Sequence, residues 1–543
     1  MDARILRLID NLPGFGLPQF CLAFGAIVSI RALLEYLSSP PSGNPLISDL
    51  LSLEVSMLFM FLFPVLALVI ILNLIGKFEI SKALSFVTVT LPVIWLAPIL
   101  DMIISWGRGP GMSYIFTSLD QFLWHFLTFG GPLVYPGVTM GLRIEVAIVC
   151  IGILLVIFAT TRNWARAILG TLLGYSAIFF VAILPSLGKI LLSSAAASGS
   201  QEVYTAFVAA LAGSESIRNI ATQFLSTGFD SRTIYTVFNI GLGQIFWLST
   251  TILLVTFGYL HNKSSFVALI RNLRPERLLY YMTLVATGAL VATGGQFINI
   301  FSPAASLLSF VSVLFVFAYL WTYALIDNDL EDESIDRISN TGRPLVLGLL
   351  SRDLYRNYKN VALAMGLLGA YLLGYSTFFL ALACALVSHI YSVPPLRLKR
   401  LPIISNAVVG LCGLMTFMAG YLLWSGGGDF SIFPLKIGLS IWLGLTVASF
   451  LKDLKDIEGD RQSAVVTLPT MLGQKRARLV ILALLLIMSA SFALVYSSAS
   501  FLFATLAAGI LLAGLKFWRG EINDKDYFLA YFVYIITLII HMS

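Results

Sequence analysis

The feature that most limits the fold of this chain is a succession of long apolar segments separated by short polar ones. A membrane-spanning helix needs about 20 mostly apolar residues. Because only 11% of the residues are charged and 58% are hydrophobic, against about 25% charged in an ordinary soluble domain, a soluble core cannot bury this surface. Six segments of spanning length lie in the first half, near 17–37, 52–76, 83–105, 141–161, 167–192 and 234–260. Nine lie in the second half, near 279–297, 303–326, 358–374, 376–393, 403–424, 433–451, 478–495, 497–516 and 526–542.

We therefore predict an all-α polytopic membrane protein, with a nine-helix transmembrane bundle preceded by an extra bundle of about six transmembrane helices. The first segment is the weakest, because it contains Arg31 and Glu35. Two long Gly- and Ser-rich segments, 106–139 and 194–232, predict short interfacial or re-entrant helices, such as one in DQFLWHFLTFGG. The short basic linker LHNKSSFVALIRNLRPERLL predicts a boundary between an N-terminal domain, 1–262, and a second domain, 263–543.

Positive charge sets the predicted orientation. With nine spans, the Lys and Arg residues of 263–543 fall in alternate loops, and Lys436 alone lies on the opposite side. Loops rich in Lys and Arg stay in the cytoplasm, so we expect an integral multi-pass protein of a prokaryotic plasma membrane. The net charge of +6 then belongs to these loops. We expect contact with membrane lipids and none with nucleic acid, because no basic soluble segment is present.

An acidic run follows the second predicted span of this bundle. Within NDLEDESID, the side chains of Asn328, Asp332 and Asp336 recur at four-residue steps, so they share one face of a helix. Like charges at that spacing repel, and a bound divalent cation removes the repulsion. Mg²⁺ takes one or two carboxylates and completes its shell with water and phosphate oxygens.

A second acidic run, KDLKDIEGD, ends the sixth predicted span of the same bundle. Asp453, Asp456 and Asp460 lie at steps of three and four, again on one helical face. Both runs end a span on the predicted cytoplasmic side, so they can face each other and hold a diphosphate between two Mg²⁺ ions. The alternative reading is that both runs are solvated loop charges, and two runs at matching depth disfavour it.

Residues 265–543 resemble the UbiA superfamily of intramembrane prenyltransferases. NDLEDESID with a downstream RPL is similar to the first Asp-rich motif of that superfamily, and KDLKDIEGDRQSAVVTLPTMLG to the second. YSVPPLRLKRLPIISN is similar to its tyrosine-to-lysine segment, and LRPERLL to the motif that opens the first helix. RPLVLGLLS departs from the common RPxPSGxIS, and SAVVTLP lacks a frequent glycine, but neither change removes a presumed ligand.

This resemblance implies an enzyme that moves an isoprenyl group from an allylic polyprenyl diphosphate, such as geranylgeranyl diphosphate, to a hydrophobic acceptor. It implies a phenolic quinone precursor, a tetrapyrrole or a glycerol-phosphate ether lipid as the acceptor. The YSVPPLRLKR form is more similar to the lipid, chlorophyll and tocopherol branches than to the 4-hydroxybenzoate branch. The expected ligands of two Mg²⁺ ions are Asn328, Asp332, Asp336, Asp453, Asp456 and Asp460. The expected diphosphate-binding residues are Arg274, Arg343, Tyr391, Lys399 and Lys452. The expected prenyl groove includes FVSVLFVFAYLWTY.

Two other functions remain open from the sequence. One is prenyl transfer to a polar acceptor such as a sugar phosphate. The other is a cation or lipid transporter that uses the Asp clusters. The position of these clusters at the ends of spans disfavours a transporter, because carriers bind their substrates near the bilayer midplane. Residues 1–262 carry no recognised motif. They are expected to be a scaffold for an unknown protein or lipid partner, a feeder of the acceptor, or a packing extension.

Overall fold

The computed structural model describes residues 11–12, 14–38, 47–106, 114–132, 138–192, 200–224, 231–426, 429–453, 466–481, 483–484 and 487. Every regular element within these ranges is a helix, as the predicted fold class requires. Contacts group the chain into two units. The first comprises Met1–Phe266 and Pro303–Leu308, and the second comprises Val267–Ser302 and Ser309–Ser543.

The helices of the first unit follow the predicted spans and add short helices between them. They are α1 Leu17–Ser38, α2 Ile47–Leu74, α3 Ile80–Thr90, α4 Leu96–Ile104, α5 Phe122–Thr128, α6 Met140–Thr161, α7 Trp164–Leu192, α8 Ser200–Ala212, α9 Glu215–Phe224 and α10 Ser231–His261. Helix α10 packs on α2, and α7 packs on α6. The short helices predicted in the two Gly- and Ser-rich segments are confirmed by α5, α8 and α9.

The third span of the first unit is broken inside the apolar segment. A 3-10 turn over Leu91–Trp95, with a proline in its first turn, separates α3 from α4. Broken helices free backbone groups that a membrane interior cannot hydrate. Arg31 donates to the carbonyl oxygen of Ile94, and Glu145 Oε2 accepts from the backbone nitrogen of Ala97 at 3.1 Å. Arg31 and Glu145 therefore provide hydrogen-bond partners for backbone groups at the break.

The same charged residues explain how α1 serves as a span. Arg31 is only 1% exposed and lies 3.2 Å from carboxylate oxygens of both Glu35 and Glu145. Unpaired charges are costly inside a membrane, and paired ones are tolerated in the interior of a bundle. The Arg31–Glu145 pair thus links α1 to α6, and Glu35 adds a second carboxylate to Arg31 from within α1.

The second unit contains the helices that carry the predicted motifs. They are α11 Lys263–Asn272, α12 Pro275–Ala292, α13 Phe297–Phe301, α14 Ala304–Glu331, α15 Glu333–Ser339, α16 Arg352–Tyr371, α17 Tyr375–Ser392, α18 Ile404–Trp424, α19 Leu435–Asp453 and α20 Leu468–Leu472. The first residues of α11 and of α14 are grouped with the first unit. Helix α18 packs on α12, α17 and α19, and α16 packs on α17. The predicted spans near 497–516 and 526–542, and most of 478–495, lie outside the described residues.

Small residues allow the central helices of the second unit to approach closely. A Cβ atom on Gly288 of α12 would collide with the Phe417 carbonyl oxygen of α18, and one on Gly420 would collide with Val285. Membrane helices gain their packing energy from such close contact, because lipid provides no hydrophobic drive between them. This contact holds α12 against α18 and so fixes the helix that Arg274 precedes.

Nine helices among the described residues are long and apolar enough to cross a membrane. Six belong to the first half, as predicted, and end with Thr236–His261. In the second half they are Ala304–Glu331, Tyr375–Ser392 and Ile404–Trp424. Helices α12, α16 and α19 coincide with predicted spans but are shorter or more polar. The chain is therefore an integral multi-pass membrane protein.

Candidate active site

The first acidic motif lies where one helix ends and a second begins. Helix α14 ends at Glu331, and Asp332 is the capping residue before α15. Backbone bonds from Asp332 N to Asn328 O (3.0 Å) and from Asp336 N to Asp332 O (2.8 Å) continue the four-residue register across the break. The three predicted ligands therefore remain one turn apart.

Asn328 and Asp332 converge on a single cationic atom. Lys399 Nζ donates to Asn328 Oδ1 at 3.0 Å and to Asp332 Oδ2 at 2.6 Å. Arg397 donates to the other oxygen, Asp332 Oδ1, at 2.8 Å. Two hard oxygen atoms that already face one positive charge are the kind of donor pair that Mg²⁺ binds. The ammonium group stands where a cation would be held, so these residues fit the predicted metal.

Asp336, the third predicted ligand, is turned towards a different pair of neighbours. It is 5% exposed, accepts from Asn340 Nδ2 at 2.8 Å, and lies 3.8 Å from Arg343 Nε. Burial raises the pKa of its carboxyl above the ordinary aspartate value, and the Asn340 hydrogen bond and Arg343 oppose that shift. Asp336 therefore connects the motif to the predicted diphosphate-binding arginine.

Lys399 reaches the motif from the segment after α17. Residues Leu398–Arg400 form one 3-10 turn, which Arg397 precedes in the left-handed region at φ 41°. Burial lowers the pKa of the Lys399 ammonium, and Asp332 opposes that shift. The tyrosine-to-lysine segment thus supplies two cations to one carboxylate.

A buried carboxylate that the sequence analysis did not select positions two of the predicted cations. Asp329 is 2% exposed and accepts from Asn272 Nδ2 at 2.7 Å and from the Tyr355 hydroxyl at 3.0 Å. Its other oxygen lies 3.5 Å from Arg274 and 3.6 Å from Arg343. The one sequence signal that could have identified Asp329 was its position inside NDLEDESID. Its partners could not be predicted, because they come from segments distant in the chain.

The position of Arg274 follows from this network. It precedes α12 in the left-handed region, at φ 51°. Burial lowers the pKa of its guanidinium to about 10, with Arg277 and Arg343 adding to the shift and Asp329 opposing it. Arg274 therefore stays charged at neutral pH beside Arg343, and the two arginines share the Asp329 carboxylate.

The second acidic motif is described only at its start. Asp453 ends α19 and accepts from Asn406 Nδ2 at 3.1 Å. The phenol of Tyr391 lies within electrostatic range of both Asp453 and Asp332. Asp456 and Asp460, and the side chain of Lys452, lie outside the described residues. One predicted site residue thus stands near an acid from each motif.

Another buried acidic residue was also missed. Asp327 is 2% exposed; it accepts from Lys359 Nζ at 2.9 Å and lies 2.8 Å from His389 Nδ1. Within the described ranges, no group of three Asp, Glu, His or Cys side chains is arranged to hold a metal ion. The predicted first ligand set does not count as such a group, because one of its three members is the amide of Asn328. Two of the three acids of the second set, Asp456 and Asp460, lie outside the described ranges.

These observations define a class: a multi-pass α-helical membrane protein with an acidic site at helix ends, enclosed by lysine and arginine. Residues 279–536 match the UbiA prenyltransferase family. The chain belongs to this family, and the resemblance drawn from its motifs is confirmed, as is the prediction of a transferase of this family. Residues 1–278 lie outside the match.

The similar proteins include lipid and pigment enzymes. Digeranylgeranylglyceryl phosphate synthase of Thermococcus kodakarensis is 30% identical over 250 residues, which cover 46% of this chain and 81% of that protein. The enzyme of the same name from Pyrococcus horikoshii is 31% identical over 153 residues, covering 28% of this chain and 53% of that protein. Chloroplastic chlorophyll synthase of Avena sativa is 34% identical over 181 residues, which cover 31% of this chain and 46% of that protein.

Solved structures also align with about half of the chain. A UbiA homologue from Archaeoglobus fulgidus bound to GPP and Mg²⁺ aligns with a TM-score of 0.41 at 23% identity, covering 51% of this chain and 98% of that one. A structure of a digeranylgeranylglyceryl phosphate synthase aligns with a TM-score of 0.39 at 18% identity, covering 51% of this chain and 98% of that one.

Proposed function

We propose that residues 263–543 form a Mg²⁺-dependent intramembrane prenyltransferase. It transfers an isoprenyl group from an allylic polyprenyl diphosphate to a hydrophobic acceptor. The observation that carries the proposal is the convergence of Asn328 and Asp332 oxygens on the Lys399 ammonium, with three further basic groups, Arg274, Arg343 and Arg397, beside the motif. An acidic site alone would suit a cation, whereas acids and bases interleaved in this way suit a diphosphate with its metal ions.

The bases of the site receive the leaving group. Departure of the diphosphate breaks the allylic C–O bond, and both electrons go to the diphosphate oxygen. Arg274 and Arg343 are held side by side by Asp329, and Arg397 and Lys399 by Asp332. Pre-positioned cations stabilise that developing charge without reorganising.

Metal binding completes the same task. Two Mg²⁺ ions, on Asn328, Asp332 and Asp336 and on Asp453, Asp456 and Asp460, would act as Lewis acids on the diphosphate oxygens. In this proposal, the Tyr391 hydroxyl donates a hydrogen bond to the diphosphate, or its ring faces the allylic cation.

Water must be kept from the allylic cation. A buried apolar cluster adjoins the Asp329 network through Tyr355, whose hydroxyl donates to Asp329. The members of the cluster are Leu269, Ile326, Leu330, Leu345, Leu350 and Tyr355. The prenyl chain then lies along the apolar face of α14, within FVSVLFVFAYLWTY. An apolar wall of this kind excludes water and leaves the intended acceptor as the available nucleophile.

The acceptor we propose is a hydrophobic molecule with a hydroxyl or carboxyl group, such as a glycerol-phosphate ether lipid or a tetrapyrrole. The names of the similar proteins and the YSVPPLRLKR segment support this class. We place the site on the cytoplasmic side of the plasma membrane, because alternate loops of 263–543 carry nearly all of its Lys and Arg residues.

We further propose that residues 1–262 form a separate transmembrane domain. The grouping of Met1–Phe266 into one unit supports this boundary, as does the family match that begins at residue 279. Its buried Arg31–Glu145 pair satisfies the backbone of its own broken helix, which supports an independently packed bundle.

The proposal is tested by turnover of labelled geranylgeranyl diphosphate in lipid nanodiscs. The acceptors are geranylgeranylglyceryl phosphate, a chlorophyllide and a phenolic quinone precursor, and products are identified by mass. Asp332→Asn should abolish transfer. The matched control is Glu333→Gln, because Glu333 pairs with Arg337 and Arg352 at the surface, away from Lys399. Wild-type turnover by Asp332→Asn would refute the site, and metal-dependent binding without any prenylated product would favour a carrier.

A further inference from the structure

A buried charged group next to the site has no part in the mechanism above. Asp327 precedes Asn328 in the chain, and its partners lie on α16 and α17. It is paired with Lys359 at 2.9 Å and with His389 at 2.8 Å. Its side chain is 3% exposed, whereas that of His389 is 45% exposed. A charge inside a membrane span is costly and is usually functional.

The orientation of the imidazole follows from its contacts. Nδ1 of His389 faces Asp327 and also lies 3.5 Å from the Tyr323 hydroxyl. With Nδ1–H donated to the carboxylate, Nε2 is the ring atom that can accept a proton. Among the described residues, no hydrogen bond reaches Nε2, and the half-exposed ring leaves it accessible. Lys359 Nζ donates to the other oxygen of Asp327 at 2.9 Å, so the carboxylate is held in place against the imidazole.

The imidazole lies about one helical turn from a predicted metal ligand. Ser392, three residues along α17, donates to Asn328 Oδ1 at 3.2 Å. Residues three apart are neighbours on a helix surface. The charged or titratable groups that face His389 are Asp327 and Tyr323 of α14 and, through Asp327, Lys359 of α16. Asp329, Asp332 and Asp336 face other partners, namely arginines and Lys399.

We propose that His389 accepts the proton of the acceptor, with Asp327 as the residue that positions it. This inference rests on the proposed function. In the step, the allylic C–O bond breaks and its electron pair leaves with the diphosphate. The acceptor oxygen forms the new bond to carbon C1, and its proton passes to Nε2 of His389 and then to solvent. An aspartate that orients a histidine base is a recurring arrangement in enzymes.

The decisive variant is His389→Asn, because the asparagine amide can replace Nδ1–H against Asp327 but supplies no base. With geranylgeranyl diphosphate, Mg²⁺ and geranylgeranylglyceryl phosphate, we expect kcat to fall by about 100-fold or more. KM for the donor and the unfolding midpoint should stay unchanged. Added imidazole should restore part of the kcat of this variant. In the wild type we expect kcat/KM to fall towards acid pH, and in the variant this fall should be flatter. His261→Asn, an exposed position at the end of α10, is the matched control.

Asp327→Asn removes the carboxylate that pairs with the partly buried Lys359 and can unfold the protein. The double variant Asp327→Asn/Lys359→Met removes both charges and should fold, with a reduced kcat that imidazole does not rescue. Wild-type kcat in His389→Asn would overturn the inference. So would a loss that is equal at all pH values and unaffected by imidazole, since it marks a packing role. If the wild-type protein itself makes no product with any acceptor, the proposed function fails and this inference falls with it.

Discussion

The Asp329 network makes the most specific prediction for the arginines of the site. Asp329→Asn keeps the shape of the side chain but removes the one charge shared by Arg274 and Arg343, which lie at 3.5 and 3.6 Å. It also places an amide group against Asn272 Nδ2, which already donates at 2.7 Å. We therefore expect both arginines to leave their present positions, and diphosphate binding to weaken.

The magnitude follows from the burial of the three partners. Breaking a fully buried ion pair costs about 3–5 kcal/mol. The two arginine side chains are 23% and 19% exposed, so water screens part of the loss, and we expect about 2 kcal/mol. Loss of a residue that orients ligand-binding groups typically lowers affinity or activity by about 10- to 100-fold. We expect KM for the diphosphate to rise by that factor, with a smaller change in kcat.

The assay measures steady-state kinetics at saturating Mg²⁺ together with the unfolding midpoint of the full chain. Glu331→Gln is the matched control: it lies two positions away in the same motif and is only partly buried, so both readouts should match the wild type. A KM within twofold of the wild-type value, with an unchanged midpoint for Asp329→Asn, would show that Asp329 does not position the arginines.

Three more predictions concern the metal, Arg274 and the first unit. Mg²⁺ with a non-hydrolysable geranylgeranyl diphosphate analogue should raise the unfolding midpoint more than either alone, and EDTA should abolish transfer until Mg²⁺ is restored; turnover in EDTA would contradict the metal site. Arg274→Gln should raise KM equally at pH 7.0 and 8.5, because the pKa of Arg274 is held at about 10 and the group is protonated at both; a loss confined to one pH would contradict this. Glu145→Gln should destabilise the protein by about 3 kcal/mol by leaving Arg31 with Glu35 alone, and an unchanged unfolding midpoint would refute the role of this pair.

The spans and the register of the acidic motif were predictable because both depend on local patterns. Apolar length defines a span, and four-residue spacing places Asn328, Asp332 and Asp336 one turn apart even though α14 ends at Glu331. The break between α3 and α4 was not predicted, because the hydropathy of Ile80–Ile104 is continuous and the groups that satisfy it come from α1 and α6.

The roles of Asp329 and His389 also could not be read from the sequence. Asp329 takes its partners from α11 and α16, and His389 is paired with α14 across 62 positions of the chain. A local motif shows which residue types are present, but only the packing of distant helices decides which acid meets a metal and which meets an arginine. Asp327 and Asp329 flank Asn328 and face different partners for this reason.

The central claim is that both acidic motifs hold one diphosphate through two metal ions. The most direct measurement is electron paramagnetic resonance of the full chain with Mn²⁺ in place of Mg²⁺ and the non-hydrolysable geranylgeranyl diphosphate analogue. The account predicts two Mn²⁺ ions per chain, both coupled to phosphorus nuclei, with one or both lost in Asp332→Asn and in Asp456→Asn. Full Mn²⁺ binding in either variant, or bound Mn²⁺ with no phosphorus coupling, would contradict it.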